Sequence, residues 1–367
     1  MKESHTARTL RRYVILADGM LSAYHAKTAY GVMRYGRDMV VAVVDREHAG
    51  QRMSDVAPQL ECHAPIVATL EEALCERPTS LLIGVATNGG YRPAPYRPTI
   101  LRAIDAGLEI VSGLHELLTD DEEFVTRAAA AGARLWDVRV PPPDIGVFSG
   151  NAYGAPQTVV LAVGSDCATG KMSAMLELER VANNGPLRAE FVATGQTGIL
   201  IAGKGIAVDR VISDFVAGAA ERLVLDVDPA VGVALIEGQG SIYHPAYAAV
   251  TFGLLLGSAP DLLLLCHDVS RTTIEEYDVK IPSLASLIAG HESYLAHIKP
   301  AACVAISLNT SSVDERAARM AIAAAEDETG LPADDPIRFG ASKLWAAIAS
   351  AVVDTGNGAI AKALRSA

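Results

Sequence analysis

The sequence predicts an α/β protein of two domains: an N-terminal Rossmann-like parallel sheet over residues 1–143, and a C-terminal P-loop NTPase-like parallel sheet over residues 144–367 with helices on both faces. Three observations carry that expectation. Apolar, β-branched runs of strand length alternate with helix-forming segments through both halves, as parallel βαβ units require. The run from Val159 leads into a glycine-bounded loop, a lysine and a helical segment, the order of a P-loop. Pro141-Pro142-Pro143 then marks the division, because it stops regular structure and Pro and Gly recur up to Gln157 before the next strand begins. At 367 residues the chain can build two separate cores.

In the N-terminal half, Tyr13-Val14-Ile15-Leu16-Ala17 reads as a buried strand, Asp18-Gly19 as its turn, residues 26–33 as a helix and residues 39–44 as a second strand ending at Asp45. Residues 80–85 give a third strand leading into a Gly-, Pro- and Arg-rich loop over 88–98. A helix over 99–106 and strands over 108–113 and 135–139 complete this half. No Gly-x-Gly-x-x-Gly follows the first strand, so the dinucleotide fingerprint is absent. Arg92 and Arg97 lie beyond a strand's carboxyl end, where open parallel sheets bind ligands; the competing reading is a rigid turn with solvated arginines.

In the C-terminal half, the strand over 158–163 enters the P-loop. A strand over 189–194 is closed by the turn Gly195-Gln196-Thr197-Gly198, and a second glycine-rich turn over 202–205 precedes a helix that runs to Glu221 with Asp209 near its start. Apolar strands then end on Glu237, on His267-Asp268 and on Asn309-Thr310. An irregular stretch over 269–284, a helix over 315–329 and a terminal helix from Ser342 complete the pattern.

The loop itself is Gly164-Ser165-Asp166-Cys167-Ala168-Thr169-Gly170-Lys171-Met172-Ser173. Its glycines let successive N–H groups face one concavity, the helix N-terminus adds partial positive charge and Lys171 a full one, so it is built to hold phosphates. Five residues rather than the usual four separate the glycines, and Met172 stands between Lys171 and Ser173. One residue turns a helix by about 100°, which displaces the hydroxyl that normally holds Mg²⁺. The expectation is therefore a phosphorylated ligand rather than nucleoside triphosphate hydrolysis.

Thr194, Glu237, His267-Asp268 and Asn309-Thr310 fall at strand ends that share one sheet edge with the loop, which predicts a common pocket. Glu237 stands out, since an acid closing an apolar strand is costly unless paired or used. His244 and His267 read equally as catalytic groups or as hydrogen-bonded packing residues. Cys167 reads as a nucleophile or a small loop filler, and Asp209 and Asp214 as metal ligands or helix caps.

A net charge of -12 and a pI near 5.2 argue against nucleic acid and anionic membrane as partners. Five scattered cysteines without a Cys-x-x-Cys pair predict neither a disulfide framework nor a zinc site, and fit a reducing cytoplasm. Residues 1–8 lack the apolar core of a leader, and the leucine run from Leu262 to Leu265 is too short to cross a bilayer.

The loop resembles the Gly-Thr-Asp-x-x-x-Gly-Lys loop of dethiobiotin synthetases, and Glu237-Gly238-Gln239-Gly240 resembles their Glu-Gly-Ala-Gly, over part of the second half only. A fuller likeness, over nearly the whole chain, is to a bacterial family that pairs a Rossmann-like half with a P-loop half. It rests on Ala26-Lys27-Thr28-Ala29, Val111-Ser112-Gly113-Leu114-His115-Glu116, Asp166-Cys167-Ala168-Thr169-Gly170-Lys171-Met172-Ser173, Ala193-Thr194-Gly195-Gln196-Thr197-Gly198, Ile236-Glu237-Gly238-Gln239-Gly240-Ser241 and His244-Pro245-Ala246-Tyr247. Members of that family are D-glutamate N-acetyltransferases. The resemblance thus implies transfer of an acetyl group from acetyl-CoA to the amine of D-glutamate or a similar D-amino acid, in D-amino-acid breakdown. The phosphates of coenzyme A suit a loop that lacks the Mg²⁺ hydroxyl.

On that reading residues 164–173 hold the phosphates, Lys171 assists transfer, and Glu237 or His244 is the base. Arg97, Arg271 or Lys280 receives the substrate carboxylates, with Gln196 and Thr197 beside them, and no metal is assigned. Direct attack is expected in preference to a Cys167 acyl-enzyme. The dethiobiotin synthetase likeness implies instead a Mg-ATP-dependent kinase or ligase on a small carboxylate, with Asp214, Glu237 and Ser173 about the metal. A third reading is a non-catalytic nucleotide sensor. The expected partner is a small molecule, and the expected assembly a cytoplasmic homo-oligomer.

Overall fold

The computed structural model describes residues 10–354. The segment read above for a leader, residues 1–8, and the part of the terminal helix past Asp354 lie outside the described residues. The chain divides into two compact units. One comprises the residues up to Val140 with Ile199–Lys204, the other Pro141–Gly198 and the residues from Gly205 on.

In the first unit β1 (Arg12–Leu16), β2 (Met39–Val44), β3 (Ile66–Val67), β4 (Ser80–Ile83), β5 (Glu109–Ser112) and β6 (Leu135–Asp137) form one parallel sheet in the order β3-β2-β1-β4-β5-β6, the Rossmann order. Val14, Ile15 and Leu16 are buried, as a central parallel strand covered on both faces demands. Asp45 follows β2 where dinucleotide folds present an acid to a ribose. Here it is fully buried, accepting the Gly19 N–H at 2.7 Å and pairing with His48 Nδ1 at 2.5 Å. The acid ties down the turn after β1, in keeping with the missing glycine fingerprint.

In the second unit β7 (Thr158–Gly164), β8 (Ala189–Val192), β9 (Val233–Ile236), β10 (Leu262–Asp268), β11 (Ala302–Asn309) and β12 (Ala333–Asp334) form a second parallel sheet, ordered β12-β11-β10-β7-β9-β8. Every residue of β7 is buried between β10 and β9. Helices Lys171–Ala182 and Ser342–Asp354 pack together, as do Val216–Leu225 and Ala248–Gly257, and the helices cover both faces. The carboxyl ends of β7, β8, β9 and β10 therefore open on one edge.

Three local expectations change. Strands β3 and β12 have two residues each, too short to leave a pattern, and they pair at the sheet edges. The segment Gly195-Gln196-Thr197-Gly198 opens the helix Gln196–Ala202 instead of forming a turn. Asp209 sits in a 3₁₀ turn, Val208–Arg210, ahead of the helix Val216–Leu225 rather than at its start.

The Pro- and Gly-rich segment after Val140 is fastened to the second unit. Ile145, Phe148 and Ala155 pack against that unit's core, and buried Glu221 accepts the Ser149 N–H and Oγ–H at 2.7 and 2.9 Å and the Ala152 N–H at 3.1 Å. Glu221→Ala would leave those backbone donors unpaired at about 1–3 kcal/mol each. Urea unfolding is expected to register a loss of about 2–6 kcal/mol.

Candidate active site

The loop after β7 folds as the sequence demands. Gly170 adopts φ +96° at the entrance to the helix, a region that L-residues avoid, and Ala168 is held at φ +52° on the exposed crest. Ser165, Asp166 and Thr169 are buried beneath it. Lys171 is 6% exposed, and its Nζ donates to the Asp166 carbonyl at 2.7 Å and reaches Thr169 Oγ1 at 3.4 Å. Both acceptors are neutral. Burial lowers the lysine pKa, opposed by nearby Cys167, Cys266, Asp166 and Glu237.

The Asp166 carboxylate knits the loop to the stretch after β10. Its Oδ2 accepts Arg271 Nη1 at 2.7 Å and the Glu275 N–H at 2.9 Å, and its Oδ1 accepts the Cys167 N–H at 2.6 Å. Arg271 also donates to the Cys167 carbonyl at 3.0 Å and lies 3.3 Å from Glu275 Oε2. Ser165 Oγ and His267 Nδ1 meet at 2.8 Å, which ties the loop to β10.

Glu237 closes β9 beside this loop, 5% exposed. Its Oε2 accepts the N–H groups of Thr194 and Gly195 at 2.9 and 3.0 Å, while Thr194 Oγ1 donates to its carbonyl at 2.9 Å. Gln239 Nε2 donates to the same hydroxyl at 3.1 Å, so the segments after β8 and β9 are cross-linked. Burial pushes the carboxyl up to about 7, against the two N–H bonds and Lys171, which favour ionisation. A Cβ on Gly198 would lie 2.5 Å from Oε2, so the glycine leaves room for the carboxylate.

His244 is buried, and its Nδ1 accepts the N–H groups of Ala246 and Tyr247 at 3.1 and 3.3 Å. Its Nε2 points toward Asp166 Oδ1, 3.7 Å away, and its ring lies against Tyr247 and Tyr277 with centroids at 4.6 and 5.3 Å. Asp166, Cys167 and His244 bring potential ligand atoms within 4.8 Å of one another. Burial raises the Cys167 thiol pKa, with Lys171 opposing, which favours the thiol over the nucleophilic thiolate.

The remaining sequence candidates divide. Gln196 and Thr197 begin the helix next to Thr194 and Gly195, and Met172 and Ser173 lie half-buried in the first turn after Lys171. Lys280 is exposed in the irregular stretch after β10. Arg97 belongs to the first unit, where Asp121 and Glu123 bind its guanidinium. Asp268 accepts from Asn309 Nδ2 at 2.9 Å, and Thr310 donates to Asp335, so these strand ends fasten loops to each other. Asp214 is exposed. The pairing of Asp166 with Arg271 escaped the sequence reading, although an acid inside a phosphate loop is a visible request for a cationic partner.

Fold and loop together define a two-domain α/β protein with one Rossmann-like sheet and one sheet bearing a phosphate loop. The chain belongs to the DUF1611 family: its residues 146–345 match that family's P-loop domain, described as a domain of unknown function, and residues 46–141 match the accompanying Rossmann-like domain. It is 40% identical over 287 residues to a D-glutamate N-acetyltransferase of Tritonibacter scottomollicae, covering 77% of this chain and 84% of that one. A D-glutamate N-acetyltransferase of a Pseudoalteromonas species is 38% identical over 269 residues, covering 73% and 80%. The crystal structure of a DUF1611 family protein from Anabaena variabilis superposes with a TM-score of 0.88 at 38% identity, covering 93% of this chain and 99% of that one. No helix among the described residues is long and apolar enough to cross a membrane.

Proposed function

We propose that this chain is an acyltransferase that moves the acetyl group of acetyl-CoA to the amine of D-glutamate or a closely similar D-amino acid. The 40% identity over 77% of the chain with a D-glutamate N-acetyltransferase carries this reading. The site supports it. Loop N–H groups and the Lys171 ammonium suit the phosphates of coenzyme A. Met172 stands where a Mg²⁺-binding hydroxyl would be needed for the Mg-ATP reading.

Glu237, with a pKa of about 7, is matched to taking a proton from the attacking amine near neutral pH. Lys280, exposed, is a cation for a substrate carboxylate, with Gln196 and Thr197 as neutral donors. Arg271 has the role of holding the loop through Asp166. The five free cysteines fit a reducing cytoplasm.

Release of the coenzyme A thiol from acetyl-CoA is expected to depend on D-glutamate and not on Mg²⁺. Acetyl-CoA should raise the melting temperature of the wild type, and Lys171→Ala should abolish both effects. Mg²⁺-dependent ADP release from ATP, with no thiol release, would transfer the chain to the kinase or ligase class.

A further inference from the structure

We infer that His244 acts as a neutral hydrogen-bond donor, its Nε2–H holding the carbonyl oxygen of the acyl thioester, and is neither the base nor a metal ligand. The inference rests on the acetyltransferase reading above. It begins with the backbone. Nδ1 accepts two N–H bonds, from Ala246 and Tyr247, so that nitrogen carries a lone pair and no proton. The neutral ring must therefore carry its hydrogen on Nε2.

This tautomer removes three roles. A nitrogen that already bears hydrogen cannot take a proton from an amine, cannot deprotonate Cys167, and cannot ligate a metal without becoming an imidazolate. Forming an imidazolium would break both backbone bonds, and burial opposes it in the same direction.

What is left is the N–H itself. Among the described residues Nε2 meets no acceptor within hydrogen-bond reach: Asp166 Oδ1 is 3.7 Å away. The charged and titratable groups around the ring are Asp166, Cys167 and Lys171 from the loop, Glu275, Glu276 and Tyr277 from the stretch after β10, and Tyr247. Arg271 and two N–H groups already offset the Asp166 charge, so an oxygen gaining negative charge beside it is tolerated.

In the transfer step the amine lone pair forms the C–N bond and the carbonyl π pair moves onto oxygen, where Nε2–H stabilises it, while the amine proton passes to Glu237. Reforming the carbonyl breaks the C–S bond, and the departing thiolate takes the proton from Glu237.

The test has two arms. Nitrogen-15 NMR of histidine-labelled wild type, assigned with His244→Gln, is expected to find the Nε2–H tautomer retained at every pH where the enzyme is active. An imidazolium or an Nδ1–H tautomer would overturn the inference whatever the substrate proves to be. In kinetics, His244→Ala should lower kcat by about 10²–10³-fold, with the acetyl-CoA KM within about threefold. His244→Gln, which restores a donor, should recover about tenfold of that loss, and both variants should keep the acidic limb of the pH profile. Loss of that limb would make His244 the base. Failure of the wild type to release thiol with D-glutamate is a separate result and sinks the substrate reading instead.

Discussion

Glu237→Gln is expected to lower kcat for acetyl transfer by about 10²–10⁴-fold, the range for losing a positioned general base. The substitution is nearly isosteric, and the amide oxygen can still accept the Thr194 and Gly195 N–H groups that hold Oε2. Position is kept and proton acceptance is lost. In the wild type, kcat/KM should rise with pH through about 7, because the carboxyl must be ionised to act and is protonated below that value.

The same group sets a stability signature of known sign. Its pKa rises from 4.5 to about 7 on folding, so between those values the native state binds more protons than the unfolded chain and stability falls as pH rises. The shift corresponds to on the order of 3 kcal/mol. Urea unfolding at about pH 5 and pH 8 should show the wild type losing that amount relative to Glu237→Gln. A kcat within tenfold of wild type would remove Glu237 from the base role.

How legible this site is depends on sequence distance. The strand, loop and helix around Lys171 are contiguous, and each step is dictated locally: an apolar run, glycines for positive φ, then helix formers. Glu237 is legible for a different reason, since an ionisable group closing a buried strand carries a desolvation cost that only pairing or use offsets. The Asp166–Arg271 pair joins positions 105 residues apart across an irregular stretch with no periodicity, so neither partner announces the other.

Two departures from the sequence pattern have separate causes. A pair of glycines at positions 195 and 198 reads as a turn on local propensity, but the helix there is fixed by the carboxyl of Glu237, which receives the Gly195 N–H and lies where a Gly198 side chain would be. His244 has the residue type of a base, and only the fold reveals that backbone amides occupy its lone pair.

Gly238→Ala should be the most disruptive single methyl that this unit can receive at the site. A Cβ there would stand 1.7 Å from the Ala162 carbonyl oxygen, 2.8 Å from its carbon and 2.9 Å from Lys171 Cδ. The first two atoms are backbone of β7, whose residues are all buried, so no side-chain rotation can relieve the clash. Relief requires moving the end of β9 away from β7, and with it Glu237, or displacing the Lys171 stem that lies along the gap. Overpacking of well-filled interiors costs about 1–3 kcal/mol and more where the obstacle is rigid, so a loss of at least about 3 kcal/mol is expected in urea unfolding. Acetyl-CoA should also lose its stabilising effect on melting, because the ammonium and the carboxyl move together. Gly154→Ala supplies the control: nothing lies within 4 Å of its Cβ position, and a change within about 0.5 kcal/mol is expected. Should Gly238→Ala melt with the wild type, the tight seam between β7 and the end of β9, and the lysine stem that lies along it, would be wrong.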